Sequence, residues 1–263
     1  MTRKDGVTAG SLPDLETGEL ELRGRIMPAS NATFLGDIEG VQVVYKPVSG
    51  ERPLWDFPDG TLADRERAAY LLSEATGWNV VPETWLREGP HGPGMVQRWQ
   101  EPDPEQVAVT LVREGDVPDG WRHVFDGIDG EDRPVSLIHE DTEPLRRMAV
   151  FDILANNADR KGGHVLEMTD GHRYGVDHGV TFHAEHKLRT VLWGWLGEAL
   201  SADELAGVDR VRAAVGGPLG DALAEHLTDF EIDALHRRCV RLGERGVLPA
   251  PRGEWPAIPW PPF

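Results

Sequence analysis

Two aspartates at the two ends of a short hairpin constrain this chain more than any other feature of its sequence. The segment NNADRKGGHVLEMTDGHRYGVDHG, residues 156–179, predicts two strands joined by a Thr-Asp-Gly turn. A hairpin returns its ends to the same place. We therefore expect His164, which enters the hairpin, to lie beside Asp177, which leaves it, with Asp159 just before them in the chain.

The side chains of this segment suit proton transfer and metal binding. Asp159 stands beside Arg160 and Lys161, cations that keep a carboxylate ionised and able to accept a proton or orient a hydroxyl group. His164 and Asp177 near a second carboxylate form a divalent-cation site by ligand type, with Mg²⁺ or Mn²⁺ the natural metal for phosphate chemistry. The alternative is a polar loop cluster in which Asp177 only forms a turn.

A second pair of charged residues lies in the N-terminal half. Lys46 ends the apolar strand VQVVYKP, and Glu66 lies early in the helix TLADRERAAYLLSEATG. The lysine projects from a rigid element, so it can reach a phosphate while the glutamate fixes its position. The alternative is a lysine on an edge strand and a solvated glutamate on a helix.

The order of elements predicts an α+β protein of two lobes with a cleft between them. We expect a flexible N-terminus (1–17), a β-rich N-lobe (18–101) and a mainly helical C-lobe (102–263). The C-lobe begins with an acidic, Pro- and Gly-rich connector over 102–141, with little regular structure beyond VSLIHE. It continues with the helix EPLRRMAVFDILANNADR, the hairpin and three helical segments. These are HKLRTVLWGWLGEAL, SADELAGVDRVRAAVGG and LTDFEIDALHRRCVRLGERG, and the tail WPAIPWPPF is expected to dock on the domain.

Charge and composition exclude several classes of function. The 263 residues include 45 acids against 27 lysines and arginines, a net charge of −18, and no run of basic residues that would form a local patch. Such a surface repels nucleic acid and anionic lipid, so we expect neither nucleic-acid binding nor stable membrane association. With no membrane span, no secretory signal and a single cysteine, Cys239, we expect a cytoplasmic protein.

The run NNADRKGGHVL…YGVDHGVTF resembles the catalytic and metal-binding loops of the phosphatidylinositol 3- and 4-kinase family, and is similar to those of HipA-type toxin kinases. It points to the small actinobacterial kinase-like proteins related to phosphatidylinositol kinases. The resemblance implies a bilobal protein-kinase-like fold, with ATP and Mg²⁺, or Mn²⁺, as cofactors. It makes Asp159 the catalytic residue, Asp177 a metal ligand, Lys46 the phosphate-binding lysine and Glu66 its helix partner.

The resemblance also implies further nucleotide contacts, and it contains one departure. The hinge that holds adenine falls in GMVQRWQ and the phosphate loop in PASNATFLGD, with candidate residues Val96, Gln97, Arg98, Ser30, Asn31 and Thr33. His164 stands where the family has a metal-binding asparagine, which leans the site towards softer metals. Arg160 or Lys161 could stabilise charge on the transferring group.

These features predict an ATP-dependent phosphotransferase that acts on a hydroxyl group. The negative charge favours a soluble protein or a small molecule as acceptor over a membrane lipid. Two alternatives remain open: a nucleotide-binding pseudokinase that serves as a regulatory module, and an enzyme that transfers AMP on the same scaffold.

Overall fold

The computed structural model describes residues 14–27, 31–58, 60–253 and 256–263, and its N-terminal part is built on an antiparallel sheet. The sheet has the strand order β1-β2-β3-β5-β4. Its strands are β1 (Leu20–Arg25), β2 (Phe34–Ile38), β3 (Val41–Pro47), β4 (Thr84–Gly89) and β5 (Gly92–Arg98). Alternate apolar residues of these strands build an outer cluster on one face. Leu15 is buried in that cluster, so the folded domain begins before Thr17, the predicted end of the flexible N-terminus.

Helix α1 (Leu62–Thr76) joins this sheet to the rest of the molecule. The carboxylate of Glu51 accepts hydrogen bonds from the first two helical amides, at 3.2 and 2.9 Å, and Gly77 ends the helix in the left-handed conformation at φ +71°. The helix packs on β4 and β5 and also on three helices of the C-terminal half. The helix predicted from the sequence is confirmed here, and it is shared between the two halves.

A second sheet occupies most of the segment predicted to be an irregular connector, 102–141. Its three antiparallel strands are β6 (Val109–Arg113), β7 (Trp121–Ile128) and β8 (Pro134–Glu140), with β8 in the centre. The connector prediction is wrong because β7 has no buried residue and mixes polar and apolar side chains at its exposed positions, while Gly and Pro form the turns. These residues hide the alternation that identifies a strand.

The described residues of the C-terminal half form four α-helices and the predicted hairpin. The helices are α2 (Glu143–Ala155), α3 (Ala202–Val215), α4 (Pro218–Leu223) and α5 (Asp229–Arg245), and the hairpin pairs β9 (Val165–Glu167) with β10 (Arg173–Gly175). Their apolar faces share one core with α1. No helix in the described part of the chain combines the length and apolar character needed to cross a bilayer.

The segment 186–200, predicted to be helical, is irregular in the structure. Its backbone amides bond to distant carbonyl groups: the amide of Arg189 donates to Asn157 and that of Val191 to Arg160. Trp195 is buried and donates through Nε1 to Asp141 at 2.7 Å. The apolar spacing therefore reflects tertiary packing, and these long-range hydrogen bonds replace those of a helix.

The C-terminal tail docks on the domain, as the sequence predicts. The carbonyl of Ala257 accepts hydrogen bonds from the amide of Thr190 and from Nε1 of Trp193, at 3.0 and 2.9 Å. Further along, the carbonyl of Pro262 accepts from the amide of Gly162 at 2.8 Å. The tail thus reaches the loop between α2 and the hairpin.

His139 of β8 makes stability depend on pH. Its Nε2 accepts from the amide of Gly194 at 3.0 Å, so Nδ1 carries the proton and donates to the carbonyl of Glu140 at 2.8 Å. Both nitrogens are used only by the neutral ring, and burial lowers the pKa of His139 to about 4. The unfolded chain, with a pKa of about 6.5, then binds the proton more readily.

We therefore expect the stabilising contribution of neutral His139 to be complete above pH of about 6.5 and to be lost as the pH falls towards 4. Lowering the pH from about 7.5 to about 5 should remove about 2 kcal/mol of unfolding free energy from this group. Urea denaturation of wild type and His139→Gln would measure it, because the variant lacks this titration. Parallel pH profiles for the two proteins would contradict the assignment.

Candidate active site

Two neighbouring asparagines at the end of α2 hold the loops of the site. Asn156 ends the helix at φ +52°, donates to the carbonyls of His183 and Glu185, and accepts from the amide of Lys187. Asn157 accepts through Oδ1 from the amide of Asp159 at 3.0 Å. The first asparagine therefore anchors the segment that follows the hairpin, and the second sets the turn that presents Asp159.

Arg160 forms a completely buried ion pair with Asp152 of α2. Its Nε and Nη2 donate to the Asp152 carboxylate at 3.0 and 2.9 Å. Nη1 donates to the carbonyls of His164 and Val176, and Nη2 also reaches Nε2 of His178 at 2.6 Å. All five N–H groups are used inside the protein. The prediction that Arg160 could stabilise charge on a transferring group is therefore corrected: it positions the loops.

Asp159 lies between two other cations. Nζ of Lys161 is 3.3 Å from Oδ2 of Asp159, as expected from their spacing. Arg189 lies on the other side, with Nη2 3.9 Å from Oδ1, while its Nε donates to the carbonyl of Ala158. The sequence did not single out Arg189, because it follows Asp159 by thirty positions. It belongs to the segment 186–200, which was predicted to be helical but is irregular in the structure.

Lys46 lies between the carboxylates of Glu66 and Asp177, so the three groups alternate in charge. Nζ of Lys46 donates to Oε1 of Glu66 at 2.9 Å and contacts the carboxylate of Asp177 directly. The other oxygen of Glu66 accepts from the amide of His178 at 2.9 Å. Burial alone would lower the pKa of Lys46, but the two carboxylates offset this and raise it above its usual value. The predicted Lys–Glu pair is therefore present, and it is tied to the loop that carries Asp177.

His164 meets Asp177, as the hairpin geometry predicts, with Nε2 3.4 Å from Oδ2. Nδ1 of His164 donates to the carbonyl of Asp159 at 2.8 Å, which leaves Nε2 with a lone pair towards Asp177. Burial lowers the pKa of His164, and the Lys46 ammonium holds the pKa of Asp177 well below its usual range. A neutral imidazole and a carboxylate thus face each other as two acceptors, a pair that a cation would satisfy.

The two residues form a pair of ligands and not a closed cage. The described residues contain no group of three or more His, Cys, Asp or Glu side chains placed to hold a metal ion. Mg²⁺ commonly takes one or two protein side chains and completes its shell with water and substrate phosphates. His164 and Asp177 fit that mode of binding. Asp177 adopts φ +60°, a strained conformation for a residue other than glycine and one found at functional loops.

The predicted phosphate loop is partly described. Ser30 lies outside the described residues. Oδ1 of Asn31 accepts from the amide of Arg52 at 2.9 Å, and the hydroxyl of Thr33 donates to the carbonyl of Asn31 at 3.3 Å. These hydrogen bonds fold the loop between β1 and β2 onto the end of β3, so both side chains have partners inside the protein.

The predicted hinge residues lie within strand β5. Val96 is buried in the outer cluster. It lies on the face of the sheet opposite Lys46, so its side chain does not face the Lys46 ammonium group. Gln97 is on the same face as Lys46, but its amide donates to Thr84 at 2.9 Å. Arg98 pairs with Glu83 at 2.7 Å. The backbone of the predicted hinge segment is therefore paired within the sheet, and its three candidate side chains are engaged inside the protein.

Gly162 is a site residue that sequence reasoning missed. A Cβ atom at this position would lie 2.6 Å from the ring of Phe263, closer than real contacts allow. The tail therefore packs directly behind the loop that carries Asp159 and Lys161. The Gly-Gly pair in the sequence is a signal for such a close approach, but only the docked tail shows what approaches.

Comparison with known proteins found one curated relative and a solved structure of similar shape. Protein Rv2133c of Mycobacterium tuberculosis is 50% identical over 262 residues, covering 95% of this chain and 94% of the relative. The Helicobacter pylori proinflammatory kinase CtkA superposes with a TM-score of 0.48 at 12% identity, over 88% of this chain and 93% of that chain. No protein-family model matches the sequence.

The buried pair of Asp152 and Arg160 generates a stability prediction. Arg160→Met leaves Asp152 charged and without its main partner in the core, and we expect it to lower the free energy of unfolding by about 3–5 kcal/mol. The matched control is Arg133→Met, which removes an ion pair with Asp129 on the surface, where Arg133 is 65% exposed. That variant should lose less than about 1 kcal/mol. Equal losses in urea denaturation would contradict the role given to Arg160.

Proposed function

The chain belongs to the family of Protein Rv2133c of Mycobacterium tuberculosis, and we propose that it is a phosphotransferase that moves a phosphoryl group from ATP to a hydroxyl group. One observation carries the proposal: Lys46 joins Glu66 to Asp177, while His164 links Asp177 to the loop of Asp159. Phosphoryl transfer requires such an arrangement of phosphate-binding, metal-binding and proton-accepting groups in one cleft.

The order of these parts along the chain supports a protein-kinase-like fold. In protein kinases a lysine on the third strand pairs with a glutamate of the following helix. Here Lys46 lies on β3 and Glu66 on α1, the helix between β3 and β4. The catalytic loop of kinases has an aspartate and, five residues later, a metal-binding asparagine, where this chain has Asp159 and His164. We infer a bilobal fold of the phosphatidylinositol 3-/4-kinase-like class.

The residues have distinct roles in the proposed reaction. Lys46, held by Glu66, binds the phosphates of ATP. His164 and Asp177 would hold Mg²⁺ or Mn²⁺, which when bound neutralises charge on the phosphates. Asp159 orients the acceptor hydroxyl and accepts its proton while the acceptor oxygen bonds to the γ-phosphorus and the bond to ADP breaks.

Two cations complete the site around Asp159. Lys161, within 3.3 Å, and Arg189, within 3.9 Å, are placed to offset charge on the phosphoryl group. Arg189 takes over the role that the sequence offered to Arg160, because its guanidinium reaches the cleft edge and is 29% exposed. Lys161 retains the role that its position predicts.

The net charge of −18 favours a soluble acceptor, a protein hydroxyl or a small polyol, in the cytoplasm. AMP transfer would use the same metal ligands and the same lysine, so the mass gained by the acceptor distinguishes it from phosphate transfer. A protein that binds ATP with metal but transfers nothing would instead be a regulatory pseudokinase.

We expect the protein to bind ATP in a metal-dependent way. ATP with Mg²⁺ or Mn²⁺ at about 100 times its dissociation constant should stabilise the protein by about 2.7 kcal/mol, or about 5–10 °C in melting temperature. Asp177→Asn should remove the metal-dependent part of this shift, because it weakens the proposed ligand pair. Asp170→Asn, at the exposed tip of the same hairpin, is the matched control and should behave as wild type. A full metal-dependent shift in Asp177→Asn would overturn the metal assignment.

The second prediction separates binding from chemistry. Asp159→Asn removes the proton acceptor but leaves the phosphate and metal contacts, so we expect ATP turnover to fall by about 10²–10⁴ while the ATP-induced thermal shift persists. Turnover is measured as ADP release, and autophosphorylation by the mass of the intact chain. Wild-type turnover in the variant would exclude Asp159 as the catalytic residue.

A further inference from the structure

Helix α5 presents a row of arginines at the side of the molecule formed by the C-terminal half. Arg238, Arg241 and Arg245 follow one another at helical spacing and so share one face. Arg252, from the chain after the helix, lies beside the same face. We call this feature the arginine groove; it encloses about 490 Å³ when its open mouth is included. The fold thus assembles a basic patch although the sequence contains no run of basic residues.

The four guanidinium groups have no acidic ion-pair partner in the part of the chain that the structure describes. Within the described residues none of them forms an ion pair, although the chain has 45 acids for 27 lysines and arginines. Arginines elsewhere in the core behave differently: Arg65 pairs with Glu231, and Arg160 with Asp152. Acidic residues outnumber lysines and arginines in this chain, so four neighbouring arginines without an ion pair to a described acid are an exception. Their charge requires an anion from outside the protein.

Arg238 is incompletely satisfied at the bottom of the groove. Its Nε donates to the carbonyl of Leu154 at 2.7 Å and its Nη1 to that of His183 at 3.4 Å. Its Nη2 is buried and has no hydrogen-bond partner among the described residues. An unpaired buried donor on a charged group is unfavourable, and a bound acceptor would remove that cost.

The neighbouring groups repel one another. Burial lowers the pKa of Arg238 to about 10, and the charges of Arg237 and Arg241 contribute in the same direction. Burial also lowers the pKa of Arg252 and of His186, with further contributions from the arginines around them. Glu231 offsets part of the charge on Arg238, but none of the described acids forms an ion pair with the arginines of the groove.

The walls of the groove are apolar. Leu188, Trp193, Leu242 and Pro249 line it beneath the charged rim. Guanidinium groups offer paired donors that match the oxygens of phosphate, and several together favour a doubly charged group over a single carboxylate. An apolar wall with a cationic rim suits a ligand with an anionic head and an apolar or aromatic body.

We propose that the arginine groove is a second, non-catalytic binding site that takes a phosphate monoester carried on an apolar or aromatic body. The site is separate from the cleft of Lys46 and Asp177. It lies against the carbonyls of Leu154 and His183, on either side of the loop that Asn156 holds. Its occupant would therefore touch the back of the elements that carry Asp159.

The test uses phenyl phosphate as the probe, with the full chain and calorimetric titration. We expect binding of phenyl phosphate to be at least tenfold tighter than that of inorganic phosphate, since only the ester uses the apolar wall. The double variant Arg241→Ala/Arg252→Ala should weaken phenyl phosphate binding at least tenfold; both side chains are exposed, so the fold is retained. Arg237→Ala, on the same helix but outside the groove, is the matched control.

The outcomes are distinct from those for the cleft. Phenyl phosphate binding that persists in Asp177→Asn, and an ATP-induced shift that persists in the double variant, would support a second site. Equal weakening by Arg237→Ala would overturn the proposal by showing a diffuse charge effect. It would also be overturned by no binding of phenyl phosphate, by loss of that binding in Asp177→Asn, or by binding only to anionic lipid vesicles.

Discussion

The buried ion pair between Asp152 and Arg160 is the interaction on which the rest of the site depends. It joins α2 to both ends of the hairpin, because Arg160 also donates to the carbonyls of His164 and Val176. Such a pair contributes little net stability after its desolvation cost, but removing one partner is expensive. Its effect is therefore geometric: the loops of Asp159, His164 and Asp177 have one arrangement that satisfies all five donors of the arginine.

The charges around this pair are compensated locally in a chain with a large net negative charge. In the candidate active site, Glu66, Lys46 and Asp177 alternate in sign, and Asp159 lies beside Lys161 and a second cation. This alternation allows ionised groups to sit close together. The arginine groove breaks the pattern, since its cations lie close together and none of them forms an ion pair with a described acid. That contrast is why the groove is assigned a ligand while the surface ion pairs are not.

Much of the fold and the site could be predicted from local patterns. Gly77 ends α1 and Asn156 ends α2 as their residue types indicate, and the Thr-Asp-Gly turn brings His164 to Asp177. Predictions failed where long-range contacts decide the structure. The segment 186–200 has helical spacing but bonds to distant carbonyls, and strand β7 has no buried residue that would reveal its alternation. The sequence suggested that Arg160 could stabilise charge on the transferring group, because residue type and spacing do not reveal that its side chain is completely buried.

The sequence by itself determined which residue types meet at the hairpin, because a two-strand turn acts over a few residues and brings its ends together whatever surrounds them. It also determined the lysine on β3 and the glutamate on α1. Only the tertiary structure decided how the arginines divide their roles: Arg160 is enclosed, Arg189 reaches Asp159, and Arg238 faces a groove. The physical reason is that a guanidinium takes its role from burial and from its partners, and both come from segments far apart in the chain.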